Sequence, residues 1–308
     1  MSQRRACLSA DAIARIVQER FAQAVLSLAV VADRGTVNQV VIVRLAASTV
    51  VLRANDSSNR YEFEKEALCL AEAHARGIPS PRVLAVGQLG ACAYMIEEFI
   101  PTAAGQAAPC PVDLWRTLGR YARIVHGIPV SGFGRDCAGT AQLAFADTWE
   151  RFLAYNRTSL TRTDPILGLG FSGQDSRRLA ALFERLAGTD VPLALCHGDL
   201  APRNTVVADD GRVFLLDWGC AEANVVPDLD IGEVLRSELS AASDEFAAFL
   251  DGYGMTRAAF DDQTPDRTAV MALCRADLLR WAIDRAPESI PHYASQLRRA
   301  LDEACCYT

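Results

Sequence analysis

Three side chains in the middle of the chain are spaced for work on a phosphoryl group. Asp199 and Asn204 lie in Leu195–Cys196–His197–Gly198–Asp199–Leu200–Ala201–Pro202–Arg203–Asn204, and Asp217 follows thirteen residues after Asn204. A transferring phosphoryl group asks little covalent chemistry of a protein; it must be held in line and its charge neutralised. The Asp199 carboxylate can accept the proton of an attacking hydroxyl. Asn204 and Asp217 offer amide and carboxylate oxygens, the ligands a hard cation such as magnesium takes beside phosphate oxygens.

Local elements have to present these groups. Arg212–Val213–Phe214–Leu215–Leu216 is an apolar run that predicts a strand ending at Asp217, and Asp209–Asp210–Gly211 supplies the hairpin turn before it. His197-x-Asp199-x-x-x-x-Asn204 followed by an Asp at the end of the next strand matches the kinase catalytic loop and its metal-binding partner. With His-Gly-Asp in place of His-Arg-Asp, it resembles the aminoglycoside phosphotransferase family. The resemblance implies a protein-kinase-like α+β fold in two lobes. A small antiparallel-sheet nucleotide lobe would occupy residues 1–98, and a larger, mainly helical lobe residues 99–308. It also implies Mg2+ as cofactor and ATP or GTP as donor. Pro227–Asp228–Leu229–Asp230 is similar to a segment of the family in which the second Asp, here Asp230, supports the catalytic loop.

Towards the N-terminus, Ile13, Ile16, Val17 and Phe21 recur at helical spacing behind Ser9 as N-cap. The β-rich runs Val25–Val31, Gln39–Leu45 and Thr49–Ala54 follow. Gly35 permits a tight turn in the loop joining the first two, whose backbone amides are placed to cover a phosphate, so Gly35, Thr36 and Asn38 are nucleotide candidates. Period-two alternation puts Val51 and Arg53 on one face of the third strand. In the kinase pattern that face meets the nucleotide and carries a lysine. Here Arg53 takes that place, with the charge retained and a bidentate geometry gained. The helix from Arg60 to Arg76 offers Glu62, Glu64 and Glu66, and the resemblance of the Glu66–Leu84 stretch assigns Glu66 as partner of Arg53. By resemblance too, Glu97 and Phe99 belong to the hinge that holds the base and His126 opens a loop break; His126 itself is read as a packing residue rather than a catalyst.

Half of the 308 residues are hydrophobic, enough for a large core and two lobes. A net charge of −7 opposes nucleic-acid binding. Lys65 is the sole lysine, so arginine carries the positive charge. Ten cysteines without Cys-x-x-Cys spacing suggest reduced thiols and a cytoplasmic protein, and no apolar run is long enough to span a membrane.

The expected activity is transfer of a γ-phosphoryl group from a nucleoside triphosphate to a hydroxyl of a small molecule. An aminoglycoside or similar polar antibiotic is favoured as acceptor. The alternatives are a metabolite kinase acting on an amino alcohol, sugar or amino acid, and a non-catalytic nucleotide-binding pseudokinase. Besides Asp199, carboxylates on the helical insert and C-terminal helices would bind a polycation: Asp147, Glu150, Glu233, Glu238 and Asp284, with Trp281 as an apolar or stacking wall.

Overall fold

A computed structural model describes residues 8–31, 38–102, 110–138 and 142–304. In chain order the elements are α1 (Ala10–Phe21), β1 (Val25–Val30), β2 (Gln39–Leu45), β3 (Thr49–Asp56), α2 (Arg60–Ala75), β4 (Val83–Leu89), β5 (Cys92–Glu98) and α3 (Pro111–Val125). There follow β6 (Phe133–Cys137), β7 (Phe145–Asp147), α4 (Trp149–Ser159), α5 (Gly173–Ala187), β8 (Leu193–Cys196), β9 (Thr205–Val207), β10 (Val213–Leu215) and β11 (Glu222–Val225). The chain then runs through α6 (Asp228–Ser237), α7 (Asp244–Tyr253), α8 (Arg257–Asp262), α9 (Thr264–Arg285) and α10 (Ile290–Ala304). An antiparallel sheet towards the N-terminus and a mainly helical remainder make the protein-kinase-like α+β fold.

The elements form two compact units that no single cut along the chain separates. Among the described residues one unit comprises 8–102, 142–143 and Pro202–Gly219. Its five-stranded antiparallel sheet has the order β1-β2-β3-β5-β4. Alternation decides what each face meets. Val41, Val43, Val50, Leu52, Ala54 and Ile96 pack with Ile13, Ile16 and Val17 of α1, while Met95 and Ala93 pack with Phe63 of α2. Ser9 caps α1 by accepting from the Ala12 amide, and burial of its apolar stripe contributes about 1.5–3 kcal/mol per large side chain. Arg53 and Val51 therefore share the α2 side of β3, where β5 sets Glu97 directly across from Val51. The β9–β10 hairpin belongs to this unit, tied to it by Leu215 N–H donating to Pro79 O at 2.9 Å and Asp209 N–H to Pro101 O at 3.3 Å.

The second unit holds α3–α10 with a four-stranded sheet, β7-β6-β11-β8. This sheet was not anticipated in a region expected to be helical: its strands are three to five residues long, too short to show a period of two. A large core joins α4, α5, α9 and α10 around Phe133, Phe183, Leu179 and Leu297.

Six described cysteines carry reduced thiols, but Cys92 is disulfide-bonded, which corrects the expectation that all ten are reduced. No helix among the described residues is long and apolar enough to cross a membrane.

Candidate active site

In the first unit a buried arginine gathers three carboxylates. Arg53 Nη1 donates to Glu66 Oε1 at 2.5 Å and lies 3.8 Å from Glu97 Oε2, while Nη2 reaches Asp217 Oδ1 at 3.4 Å. Its guanidinium also sits over the Phe63 ring at 5.8 Å. Burial alone would lower the Arg53 pKa, yet Glu66, Glu97 and Asp217 outweigh it and hold the pKa above its ordinary value. Glu97 shows the other side of this balance. Burial, opposed by Arg53 and reinforced by repulsion from Glu66 and Asp217, pushes its carboxyl up to about 7.

α2 also grips the segment that carries Asp217. Glu66 Oε1 accepts from Trp218 N–H at 3.1 Å, and Lys65 Nζ donates to Gly219 O at 3.3 Å. Neighbouring side chains of one helix thus fix the backbone on either side of the Trp218–Gly219 peptide. Asp217 itself takes a left-handed backbone conformation with φ 59°, one that Asp tolerates better than most residues and that is commonest at functional sites. Its side chain is 51% exposed. Asn204 is buried, and its carbonyl accepts from Leu216 N–H at 2.8 Å.

In the second unit the loop after β8 is built on Asp230. Its Oδ2 accepts from His197 N–H at 2.9 Å and its Oδ1 from Gly198 N–H at 2.7 Å. Oδ2 is also 2.9 Å from His126 Nε2. Burial would raise this carboxyl, but His126 and His197 together hold it below the usual carboxylate range. Asp199 N–H donates to His197 Nδ1 at 3.3 Å, so the His-Gly-Asp backbone is anchored at three successive residues. Gly198 has φ 76°, and a Cβ there would lie 2.4 Å from Cys220 O, so only glycine fits between His197 and Asp199.

The strand cation is paired to a helical Glu, as the resemblance implied, and the Asp of an Asp-Trp-Gly turn lies beside it. The profile of the phosphotransferase enzyme family (APH) matches residues 29–271. The chain belongs to this family. It is therefore a small-molecule kinase. An aminoglycoside 3'-phosphotransferase from Streptomyces fradiae is 29% identical over 196 residues, which make up 59% of this chain and 69% of that protein. A thermostable mutant of the aminoglycoside phosphotransferase APH(4)-Ia, solved in ternary complex with ADP and hygromycin B, shares the fold with 18% identity and a TM-score of 0.65, covering 94% of this chain and 98% of that one. The choline kinase LicA from Streptococcus pneumoniae does so with 14% identity and a TM-score of 0.60, over 96% and 99%.

Within this phosphotransferase the remaining predicted residues are distributed unevenly. Gly35 and Thr36 lie outside the described residues. Asn38 precedes β2 and accepts from the Asn55 side chain at 2.9 Å, and Phe99 follows the end of β5. Asp147, expected on a helical insert, instead ends β7 and accepts from Thr148 N–H at 2.8 Å, because the chain pairs with β6 before Thr148 caps α4. Glu150 is exposed on the first turn of α4, lining a cavity of about 450 Å³ with Arg157 and Asp190. Glu233 forms ion pairs with Arg236 and Arg275. Glu238 caps the end of α6, and exposed Trp281 and Asp284 occupy the last turns of α9, with Trp281 edge-on to Tyr293.

Sequence reasoning missed the Lys65 contact and the side-chain role of Glu97. The register between β3 and β5 was the signal for Glu97, since a residue opposite Val51 must point to the face that Arg53 occupies.

Proposed function

We propose that this phosphotransferase moves the γ-phosphoryl group of ATP or GTP to a hydroxyl of a polar, amine-bearing small molecule, an aminoglycoside or similar antibiotic, and so inactivates it. The observation that carries the donor half is the Arg53–Glu66–Asp217 constellation. A guanidinium held by one buried carboxylate, with its second edge turned to Asp217, is pre-organised to meet phosphate oxygens bidentately. Val51 and the backbone around Glu97 and Phe99 take the base, with the loop around Gly35, Thr36 and Asn38 covering the phosphates.

The donor set suits magnesium: one amide oxygen from Asn204 and one largely accessible carboxylate from Asp217 leave room for phosphate oxygens and water. A bound Mg2+ would neutralise charge developing on the phosphates. Asp199 accepts the acceptor's proton from a loop whose backbone Asp230 holds in place. The catalytic, metal and strand residues are all present, which opposes the pseudokinase alternative.

An aminoglycoside acceptor is supported by the Streptomyces fradiae relative and by the acidic chain, whose net charge of −7 would favour polycations. Asp147, Glu150, Glu238 and Asp284 remain the acceptor-binding proposals, with Trp281 as the apolar wall. Glu233 is the weakest of the set because two arginines already neutralise it. The likeness to a choline kinase keeps one second reading, an amino-alcohol kinase.

A panel of aminoglycosides, choline-like amino alcohols and neutral sugars, incubated with the enzyme and Mg-ATP or Mg-GTP, tests the assignment by product mass. The Michaelis constant of an aminoglycoside should rise with ionic strength, more steeply for acceptors with more amines. Phosphorylation of an uncharged hydroxyl compound alone, without salt dependence, would remove the antibiotic reading and leave only the phosphotransferase.

A further inference from the structure

Behind the catalytic loop, in the second unit, a chain of hydrogen bonds continues one residue beyond what the reaction has been seen to need. His126 follows the last turn of α3 with its side chain 3% exposed, and both ring nitrogens are engaged. Nε2 lies 2.9 Å from Asp230 Oδ2 and Nδ1 lies 2.9 Å from the Tyr253 hydroxyl at the end of α7. The Tyr253 ring leans on the imidazole at 5.5 Å between centroids.

The hydroxyl arrives there because α3 and α7 approach unusually closely. A Cβ on Gly119 would lie 2.0 Å from Phe249 O, and one on Gly252 would lie 1.9 Å from Arg116 O. Glycine on both helices lets the backbones touch, and Tyr253 is the residue after Gly252. The close approach is therefore coupled to the reach of the Tyr253 hydroxyl.

Donor and acceptor roles follow from counting protons. The Asp230 carboxylate accepts two backbone N–H groups, and an ionised carboxylate can only accept, so His126 Nε2 must carry a hydrogen. Among the described residues the Tyr253 hydroxyl has one hydrogen-bond partner, His126 Nδ1. Burial and the nearby Asp230 keep the phenol protonated, well above its ordinary pKa. A proton on Nδ1 as well would make the hydroxyl an acceptor and leave its own hydrogen without a partner among the described residues, so the arrangement in which every group is satisfied has Tyr253 O–H donating to a bare Nδ1.

We propose that Tyr253 is a positioning residue for phosphoryl transfer: its hydroxyl fixes the Nε2–H tautomer of His126, which secures the Asp230 carboxylate that carries the backbone of His197 and Gly198 and so aims Asp199. The proposal rests on the phosphotransferase reading only for its kinetic consequence. Without the Tyr253 hydroxyl, His126 is released to its other tautomer, whose bare Nε2 would face a carboxylate and repel it. Asp230 then loses one of three donors and the loop loses definition, although no group that touches substrate has changed.

The test reads the tautomer directly. In full-length, 15N-labelled protein, long-range 1H–15N correlations of the histidines are recorded, with His126 assigned by its disappearance in His126→Gln. The expected wild-type signature is a protonated Nε2 and a bare Nδ1. In Tyr253→Phe that signature should give way to mixed tautomers or a doubly protonated ring. Turnover, read as hydrolysis of the magnesium nucleotide with water as acceptor, should fall on the order of tenfold, the scale of a small misplacement at the reacting group. The nucleotide's KM should stay within about twofold. A thermal unfolding scan checks that the variant is folded.

A wild-type His126 found as the Nδ1–H tautomer or as imidazolium overturns the proposal whether or not the variant folds. So does a folded Tyr253→Phe with unchanged tautomer and kcat, or one in which kcat and KM deteriorate together while the tautomer is retained. Because the tautomer is measured without turnover, absence of any kinase activity would count against the proposed function and not against the hydrogen bond.

Discussion

Around Arg53 three carboxylates share one guanidinium, whereas around Asp230 one carboxylate collects hydrogen bonds from two backbone amides and an imidazole. The first cluster is held by charge, and its members disagree about how much charge it should hold: Arg53 is stabilised in its charged form while Glu97 is pushed towards its neutral one. Asp230 has no such conflict, because its donors outweigh its burial and keep it ionised. A cluster held by charge responds to whatever brings charge to it: protons, phosphates or a cation. One held by directed hydrogen bonds to the backbone keeps its geometry while ligands come and go. The proposed donor binding and acceptor activation would thus rest on different supports, one on each cluster.

Removing the proposed general base probes the contrast most strongly. Asp199→Ala should lower turnover by about a hundredfold or more, the usual contribution of a positioned general base. Nucleotide affinity measured by titration should barely change, since Asp199 belongs to the loop that Asp230 holds. A parallel loss of affinity would mean that Asp199 acts on the donor, and the distinction between the clusters would fail.

The charge cluster can be broken at its centre. Arg53→Ala leaves Glu66 and Glu97 buried without their cation, and denaturant unfolding should show a loss of about 3 kcal/mol, the scale for removing one partner of a buried pair. Arg53→Lys should lose less. A double-mutant cycle of Arg53→Ala with Glu66→Ala should depart from additivity by on the order of 0.5 kcal/mol or more; additive effects would mean that their contact contributes nothing.

The mildest probe is pH. The Glu97 carboxyl titrates near 7 in the folded protein and in the ordinary range of about 4.5 when unfolded. Between those values the folded state binds more protons, so this group's contribution is complete at low pH and is lost as pH rises through about 7. Asp228, likewise pushed up to about 7 by burial, slopes in the same direction. In metal-free protein Glu97→Gln should flatten the decline in stability between pH 5 and 8 by roughly 1–3 kcal/mol and leave the remainder due to Asp228. An unchanged slope would mean that burial and the repulsion from Glu66 and Asp217 do not raise the Glu97 carboxyl in the folded protein.

The parts of the site that are local in the chain were readable in advance. His197 to Asn204, the Asp209–Gly211 turn and the strand β10 just before Asp217 follow one another closely in the chain, so spacing alone ordered them. Arg53 and Val51 were placed on one face because a strand alternates whatever it packs against. Glu66 could be chosen over Glu62 and Glu64 only by resemblance, since a helix of uncertain rotation leaves all three open. The sheet of β6, β7, β8 and β11 was missed for a related reason: each strand is too short for its own pattern to speak, and β11 joins it by pairing with β8 and β6, which lie far back in the chain. Asp147 was misplaced on a helix as a result.

Residue types and their order along the chain thus determined the chemistry, the family and the elements that carry each reactive group, because these depend on spacing and on side-chain alternation within a few residues. What only the tertiary structure decided is which distant groups share a charge or a proton. That Glu97 crowds Arg53, that Lys65 holds the carbonyl of Gly219, and that Tyr253 stands behind His126 all depend on strand register and on two helices brought together at glycines. Electrostatic and hydrogen-bond energies vary steeply over the few ångströms that such packing sets, and no local pattern in the sequence encodes those distances.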